Sequence, residues 1–254
     1  MPNASGRIAA LYRHPVKGFS PERLARVALE AGAFFPCDRI YAVEDGPSGF
    51  DPAAPAFIPK SRFTVLMRLA DAARAHTAYD EPTGVLTAHA NGRAPLTACL
   101  TQASGRQAFA DWLAGLFDGR VDGPLKVVCG PGHRFTDHPE GHVSIINLES
   151  VRDLERRTGW RIDPLRFRAN LYVDGWPAWI ENEAVAQGLT LGGANARVFK
   201  SITRCAATEV DPASAERDLP IPQALREHYG HVFCGVYAHV SSGGALAEGD
   251  PARL

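Results

Sequence analysis

Short apolar segments, and two stretches in which apolar and polar residues alternate, predict that much of this chain forms β-strands. Residues 46–62 interrupt this pattern with Gly, Pro, Ala and Ser, and they are predicted to form a loop. Pro-Thr-Gly and Asn-Gly turn signals indicate hairpins around residues 79–86 and 92–100. The other predicted strands are 8–13, 24–29, 39–43, 63–69, 125–129, 143–146, 167–173, 197–202, 235–240 and 246–247.

Three segments show the spacing and end signals of helices instead. Between Ser104 and Gly119, large apolar residues recur every three or four positions, as they do on the buried face of a helix. The same kind of signal marks two further helices: residues 148–157, with Asn147 as N-cap and Gly159 at the end, and residues 223–229, between Pro222 and Gly230.

Together these elements predict a β-rich α+β fold built around barrels or strongly curved sheets, with helices at the periphery. The passage from the first helix into a new strand predicts a boundary between two subdomains, residues 1–122 and 123–254. No Gly- or Ser-rich linker separates them, so we expect the two halves to pack against each other and to share a site at their seam.

The charge balance excludes some partners. The formal net charge is -1, which gives the whole protein no electrostatic attraction for nucleic acid or for acidic membranes. There is no apolar run of about 18 residues and no secretory signal pattern, so no transmembrane helix is expected. The predicted location is cytoplasmic, without nucleic-acid or membrane partners.

The five cysteines are widely spaced, and none forms a Cys-x-x-Cys pair, so free thiols are expected. Cys129 and Cys234 lie among apolar residues or Gly and are predicted to be small core residues. Cys205 differs because it follows the cation Arg204 and precedes a polar segment that ends in an Asp-Pro turn. This setting is typical of a ligand site rather than of core packing.

Several short motifs in the second half resemble the MOSC family, the domains similar to the C-terminal part of molybdenum cofactor sulfurase. These motifs are Thr203-Arg204-Cys205, Asp211-Pro212, Arg217-Asp218, Ile221-Pro222, Tyr229-Gly230-His231, Gly235-Val236-Tyr237-Ala238 and Gly249-Asp250, with Arg166-Phe167-Arg168-Ala169-Asn170 and Asn147-Leu148-Glu149-Ser150 upstream. In the first half, residues 12–18 and 37–39 look like the subdomain that precedes MOSC in amidoxime-reducing members. The resemblance implies a MOSC-type β-barrel preceded by a smaller, β-barrel-like N-terminal subdomain with peripheral helices.

The resemblance also implies a molybdenum cofactor, molybdopterin, whose metal is held by one protein cysteine. Cys205 is the implied metal ligand and catalytic residue, and a neighbouring cation favours the thiolate that ligates a metal. Glu209 and Asp211 are candidate proton carriers near the metal, and Asp211 is the second predicted catalytic residue. The implied cofactor-binding residues are Lys17, Arg39, Lys60, Arg168, Asn170, Thr203 and Arg204.

Two departures from the family pattern affect the functional hypothesis. Gly18 stands where the amidoxime-reducing members tend to have Ser, which removes one expected phosphate donor. No Cys-rich ferredoxin module follows Gly249-Asp250, so separate electron-transfer proteins are expected as partners.

Three functions remain open. The first is an oxidoreductase that reduces N-oxygenated (N-hydroxylated) small molecules. The second is a non-enzymatic carrier of sulfur or of the cofactor on Cys205, and the third is a structural protein without cofactor.

A loop of histidines and carboxylates, residues 133–142, contains side chains that can bind a metal. His133, His138 and His142 flank Asp137 and Glu140, but their spacing matches no strong zinc motif. A solvated polar loop is the favoured interpretation, and the loop could equally border the cofactor site.

Overall fold

The computed structural model describes residues 4–254, and strands are its main elements. In the first half these are β1 Ser5–Arg13, β2 Glu22–Leu24, β3 Arg26–Leu29, β4 Ala42–Asp45, β5 His76–Asp80, β6 Val85–His89 and β7 Leu96–Cys99. In the second half they are β8 Leu125–Val128, β9 Val143–Asn147, β10 Leu171–Asp174, β11 Gly188–Leu191, β12 Ala194–Thr203, β13 Phe233–Ser242, β14 Gly244–Ala247 and β15 Pro251–Arg253. The helices are α1 Ala103–Phe117, α2 Leu148–Thr158, α3 Ile180–Glu183 and α4 Ile221–Tyr229.

Seven strands close into a barrel. They follow the order β10-β9-β13-β12-β11-β15-β1, and β1 pairs again with β10 to complete the ring, while β2 extends the sheet beside β1. Only the β9–β10 pair is parallel. Closure leaves no free edge in the ring itself. The predicted β-rich α+β fold with a barrel is thereby confirmed.

The barrel interior is filled by aliphatic side chains from alternate strand positions. Ile8, Ile145, Val173, Val198 and Val236 are all fully buried there. Alternation explains this core, because every second residue of a strand points to the same face. Trp176 is also fully buried against this core, and its Nε1 donates a 3.0 Å hydrogen bond to the carbonyl of Ala252.

The first half builds a separate core. β5, β6 and β7 form an antiparallel meander, as the turn signals predict, and α1 packs against it with Phe109, Leu113 and Phe117 fully buried. Asp118 and Gly119 adopt left-handed backbone angles just after α1, so the predicted end of the helix is confirmed.

Four strand pairings join the two halves of the sequence. β1 pairs with β10 and β15, β3 pairs with β14, and β4 pairs with β8. The predicted boundary between residues 122 and 123 stays a prediction, but the hydrogen-bonded sheets cross it. The expectation that the halves pack closely is consistent with these pairings.

The helices of the second half end where the sequence signals place them. The Asn147 side chain accepts a hydrogen bond from the Glu149 amide at the start of α2, and Gly159 closes that helix in a left-handed conformation. Gly230 closes α4 in the same way. Both helices contribute to one apolar cluster outside the barrel, with Leu154 and Leu225 fully buried.

Three predicted strands are wrong in whole or in part. Residues 63–69 form turns, because the Val65 carbonyl accepts bonds from the amides of Arg68 and Leu69 at 2.9 Å each. Arg39 has a left-handed φ of 52°, so the strand predicted from residue 39 begins only at Ala42. A left-handed Arg168 likewise delays the strand predicted from residue 167 to Leu171. None of the helices in the described part of the chain combines the length and apolarity that spanning a bilayer requires.

Glu181 on α3 provides a test of this packing. The carboxylate is fully buried and accepts hydrogen bonds from Asn147 Nδ2 at 2.9 Å and Ser150 Oγ at 2.8 Å. Burial raises the pKa of Glu181, and these hydrogen bonds only partly offset the shift. At pH values between the ordinary pKa of a glutamate and the raised pKa of Glu181, the folded protein therefore holds a proton that the unfolded chain has released.

We expect the stability of the wild-type protein to fall, relative to Glu181→Gln, as the pH rises from about 4.3 through the raised pKa of Glu181. Urea unfolding of both proteins between pH 4 and pH 8 measures this difference. Glu183→Gln is the matched control, because Glu183 is exposed on the same helix. A stability difference between wild type and Glu181→Gln that does not change with pH would contradict the assignment.

Candidate functional site

A pocket lies at the seam between the two halves. About 800 Å³ of empty space lies within it, a figure that includes the open solvent at its mouth. The N-terminal half contributes Lys17, Gly18, Arg39, Lys60 and residues 65–67. The C-terminal half contributes segments around residues 136–144, 166–168 and 202–208, and Tyr237.

Cationic side chains dominate this lining. Asp137 is the one carboxylate among the lining residues, against six cations: Lys17, Arg39, Lys60, Arg166, Arg168 and Arg204. An excess of fixed donors in a partly enclosed space favours an anionic ligand.

Lys17 and Lys60 share Asp137. Lys17 Nζ lies 2.6 Å from Asp137 Oδ1 and 2.8 Å from the Phe135 carbonyl, while Lys60 Nζ lies 2.8 Å from Asp137 Oδ2. Burial alone would raise the pKa of Asp137, but the two ammonium groups outweigh it and hold the pKa well below its usual range. Asp137 is therefore ionised and draws two lysines, distant in sequence, to one side of the pocket.

Arg39 and Arg168 place two positive charges close together. Arg39 Nη2 donates to the Arg168 carbonyl at 2.9 Å, and its Nη1 pairs with the buried carboxylate of Asp38. Arg168 Nη2 donates to the Phe19 carbonyl at 2.7 Å. Burial, reinforced by the charge of Arg39, lowers the pKa of Arg168 to about 10. A ligand anion would relieve this repulsion.

Arg204 retains an unsatisfied donor. Its Nε donates to the Cys234 carbonyl and its Nη1 to the Phe167 carbonyl, each at 2.8 Å, while the buried Nη2 has no partner within residues 4–254. A buried donor without a partner costs stability, so it marks a place where an acceptor from a ligand is favoured.

Cys205 lies next to Arg204, where β12 ends and a 3₁₀ turn over Ala206–Glu209 begins. Its thiol is free, its side chain is partly exposed, and its carbonyl accepts 3.0 Å hydrogen bonds from the amide and the hydroxyl of Thr208. The other cysteines do not line the pocket.

Two arginines fix the loop that follows Cys205. The buried Arg166 donates to the Glu209 carbonyl at 2.9 Å and pairs with Asp211 and Asp218. Arg217 donates to the Ala206 carbonyl at 2.6 Å and reaches across the seam to the carbonyls of Leu66 and Met67. Arg217 thus ties the residue after Cys205 to the wall supplied by the N-terminal half.

Seven of the residues assigned from the sequence line the pocket, namely Lys17, Arg39, Lys60, Arg168, Thr203, Arg204 and Cys205. Asn170 and Asp211 do not. The buried Asn170 bonds to Ser144 and to the Tyr12 carbonyl, which holds two barrel strands together. Asp211 accepts bonds from the amides of Ala213 and Ser214 and pairs with Arg166.

These contacts give the Asp211 carboxylate a structural role in its own turn. Burial acts to raise the pKa of Asp211, but the two amides and Arg166 lower it overall, so the carboxylate stays ionised and is a poor proton donor. Glu209 also lies outside the lining, with its carboxylate 3.6 Å from Arg217.

Several lining residues were missed from the sequence. Arg166 and Tyr237 belong to the recognised motifs, but the sequence assigns them no role. Asp137 and His142 belong to the loop for which a solvated role is favoured from the sequence, and they line the pocket, in line with the alternative that the sequence leaves open. No grouping of three or more His, Cys, Asp or Glu side chains suited to a metal ion occurs within residues 4–254.

The structure explains why Gly18 stands beside Lys17. Gly18 has a φ of +89°, and a Cβ there would lie 2.8 Å from the Thr64 carbonyl oxygen and 3.2 Å from Val65 Cα. Glycine is therefore required by both backbone conformation and space.

Comparison with known proteins finds two family models along the chain. The model described as MOSC N-terminal beta barrel domain matches residues 5–123, and the model described as MOSC domain matches residues 132–253. No curated protein matches the chain.

Two solved structures show similarity to the chain. The YuaD protein from Bacillus subtilis covers 99% of this chain and 96% of its own at 14% identity, with a TM-score of 0.45. YiiM from Geobacillus stearothermophilus covers 43% of this chain and 52% of its own at 20% identity, with a TM-score of 0.34.

Introducing the serine at position 18 tests the backbone argument. We expect Gly18→Ser to lose about 2 to 4 kcal/mol of unfolding free energy, from the left-handed backbone and the overlap with Thr64. Gly49→Ser is the matched control, because Gly49 has a φ of +85° with nothing within 4 Å, and it should lose only about 1 to 2 kcal/mol. Equal losses in urea unfolding would show that the contact with Thr64 has no effect.

Removing the side chain that spans the seam tests how Cys205 is held. We expect Arg217→Met to lose about 1 to 3 kcal/mol of stability, because three carbonyls lose a charged donor, and to speed alkylation of the Cys205 thiol. Arg217→Lys should fall between wild type and Arg217→Met. The rate is measured with iodoacetamide by mass spectrometry, with Cys99 in the three-stranded sheet as internal reference.

Arg226→Lys is the control for that series, because Arg226 is exposed on α4 and lies outside the pocket. An alkylation rate of Cys205 in Arg217→Met equal to that of wild type would show that the loop is held without Arg217.

Proposed function

The chain belongs to the MOSC family, which is associated with molybdenum cofactor binding, and we propose that the pocket at the seam holds this cofactor, with Cys205 as the ligand of the metal. The observation that carries the proposal is a single partly exposed thiol at a pocket lined by six cations and one carboxylate. A thiolate is a soft ligand that suits such a metal, and the cations suit the phosphate of the cofactor.

The donor set fits the group. Arg204 Nη2 is buried without a partner within residues 4–254, and Arg39 and Arg168 repel each other. A ligand that carries both an anionic group and further acceptor atoms would satisfy both features. We assign the phosphate to Lys17, Lys60, Arg39 and Arg168, and the polar edge of the pterin to Thr203 and Arg204. The hydroxyl donor that Gly18 lacks is not needed where these four side chains converge.

When bound, the cofactor would supply two-electron redox chemistry. The reaction class we propose is reduction of N-hydroxylated small molecules, in which the N–O bond breaks, two electrons and two protons are taken up, and an amine and water are released. Support comes from the resemblance of residues 12–18 and 37–39 to the amidoxime-reducing members. The electrons would come from separate electron-transfer proteins.

The protein itself would position the cofactor and shield it from solvent. Arg166 and Arg217 hold the Cys205 loop, and Val65 and Leu66 give the pocket an apolar wall from the N-terminal half. Asp137 keeps Lys17 and Lys60 oriented toward the pocket. Such fixed donors cost no reorganisation when an anion binds.

A carrier that hands on sulfur or cofactor is the second candidate. The partial exposure of Cys205 favours it, because a transferable sulfur must be reachable by a partner. The two functions differ in what the purified protein contains.

Metal content decides between them. In protein made in a host that synthesises the cofactor, we expect one molybdenum atom per protein, measured by elemental mass spectrometry. The molybdenum content of Cys205→Ser should be at least about tenfold lower, because the metal ligand is removed. Cys99→Ser is the control, since Cys99 lies outside the pocket, and should retain wild-type molybdenum.

Three other outcomes bear on the carrier, on the ligand assignment and on the reductase, respectively. A persulfide on Cys205 without molybdenum would support the carrier. Molybdenum retained in Cys205→Ser at the wild-type level would disprove the assignment of the ligand. Molybdenum with no reduction of an aromatic amidoxime by a chemical electron donor would leave cofactor binding intact and refute the reductase.

A further inference from the structure

A neutral aromatic pair interrupts the cationic lining of the pocket. His142, just before β9, and Tyr237, on β13, both line it, and their ring centroids lie 4.4 Å apart. His142 is 5% exposed and also contacts the rings of Phe34 and Phe199. Its imidazole is therefore held in place by packing on several sides.

A hydrogen bond fixes which nitrogen of the His142 ring can accept a further hydrogen bond. Its Nδ1 lies 2.7 Å from the carbonyl oxygen of Glu140, and a carbonyl only accepts, so Nδ1 carries the hydrogen. Nε2 then holds a lone pair. Burial, together with the nearby charge of Arg39, lowers the pKa of His142 to about 4, so the ring is neutral at physiological pH.

The lone pair of His142 Nε2 accepts no hydrogen bond from residues 4–254, whereas the two oxygens of Asp137 are engaged by Lys17 and Lys60. The cationic side chains of the lining offer only donors. Nε2 is thus a fixed, uncharged acceptor in a pocket dominated by donors.

We infer that His142 is a specificity-determining residue whose Nε2 accepts a hydrogen bond from the N–OH hydrogen of the substrate. The inference rests on the proposed function and names the feature of the substrate that the protein recognises. Compounds with an N–OH group are bound in preference to their O-alkyl ethers and to tertiary N-oxides, which have no hydrogen to donate. A site built to bond a hydroxyl discriminates against analogues that lack it.

Equilibrium binding tests this inference without turnover. The ligands are benzamidoxime and its O-methyl ether, which differ in one O–H group, and affinities are measured by calorimetry on the full-length protein purified from a cofactor-competent host. We expect wild type to prefer the hydroxyl compound by about tenfold or more. His142→Phe keeps a ring beside Tyr237 and should lose that preference.

His142→Gln should restore part of the preference, because its Oε1 can take the place of Nε2 as acceptor. His138→Phe is the control: His138 neighbours His142 with ring centroids 5.9 Å apart but does not line the pocket, so the preference should remain. Molybdenum content of each variant is measured in parallel, so that a change in cofactor is separated from a change in recognition.

The inference is overturned if wild type binds both ligands equally or binds neither, or if His142→Phe retains the preference. Preference for the hydroxyl compound that depends on His142, without any reduction of it, would sustain the inference while refuting the reductase. The two proposals therefore fail by different results.

Discussion

Arg39 and Arg168 lie close together at the seam between the two halves of the chain. The free-energy cost of burying both guanidinium groups there constrains the architecture of the pocket. Burying a guanidinium requires acceptors, and the protein supplies Asp38 and the carbonyls of Phe19 and Arg168 itself. Both arginines adopt left-handed backbone angles. Because these acceptors come from segments far apart in sequence, the site can exist only when the two halves of the chain are folded against each other.

The regular elements of the fold were accessible from the sequence because they depend on local pattern. The meander of the first half and the ends of the three longer helices follow from alternation, caps and glycines. Residues 63–69 show the limit. They have the composition of a strand, but their carbonyls are used by Arg217, about 150 residues later, so a turn is favoured by contacts that no local window contains.

The site was predictable in a different way. Lys17, Lys60 and Cys205 have nothing in their spacing that brings them together, and motif resemblance alone groups these residues, which line one pocket. The same resemblance also names two residues outside the lining: Asn170, whose amide oxygen bonds to Ser144, and Asp211, whose carboxylate bonds to its own turn and to Arg166. Motifs combine residues that line a site with residues that build it, and only hydrogen-bond partners distinguish the two.

Gly18 shows how that distinction changes a functional argument. From the sequence, a missing serine hydroxyl weakens a phosphate site, because one donor is lost. In the structure, the absence of a side chain leaves room for the Thr64 carbonyl oxygen, which lies 2.8 Å from the position that a Cβ would take. Residues 65–67 can therefore pack against the segment that carries Lys17. Leu66 and Met67 are in turn the residues to which Arg217 ties the Cys205 loop. The glycine therefore connects the Lys17 side of the pocket to its thiol through backbone packing at residues 64–67 and the Arg217 side chain, so the role of position 18 is geometric.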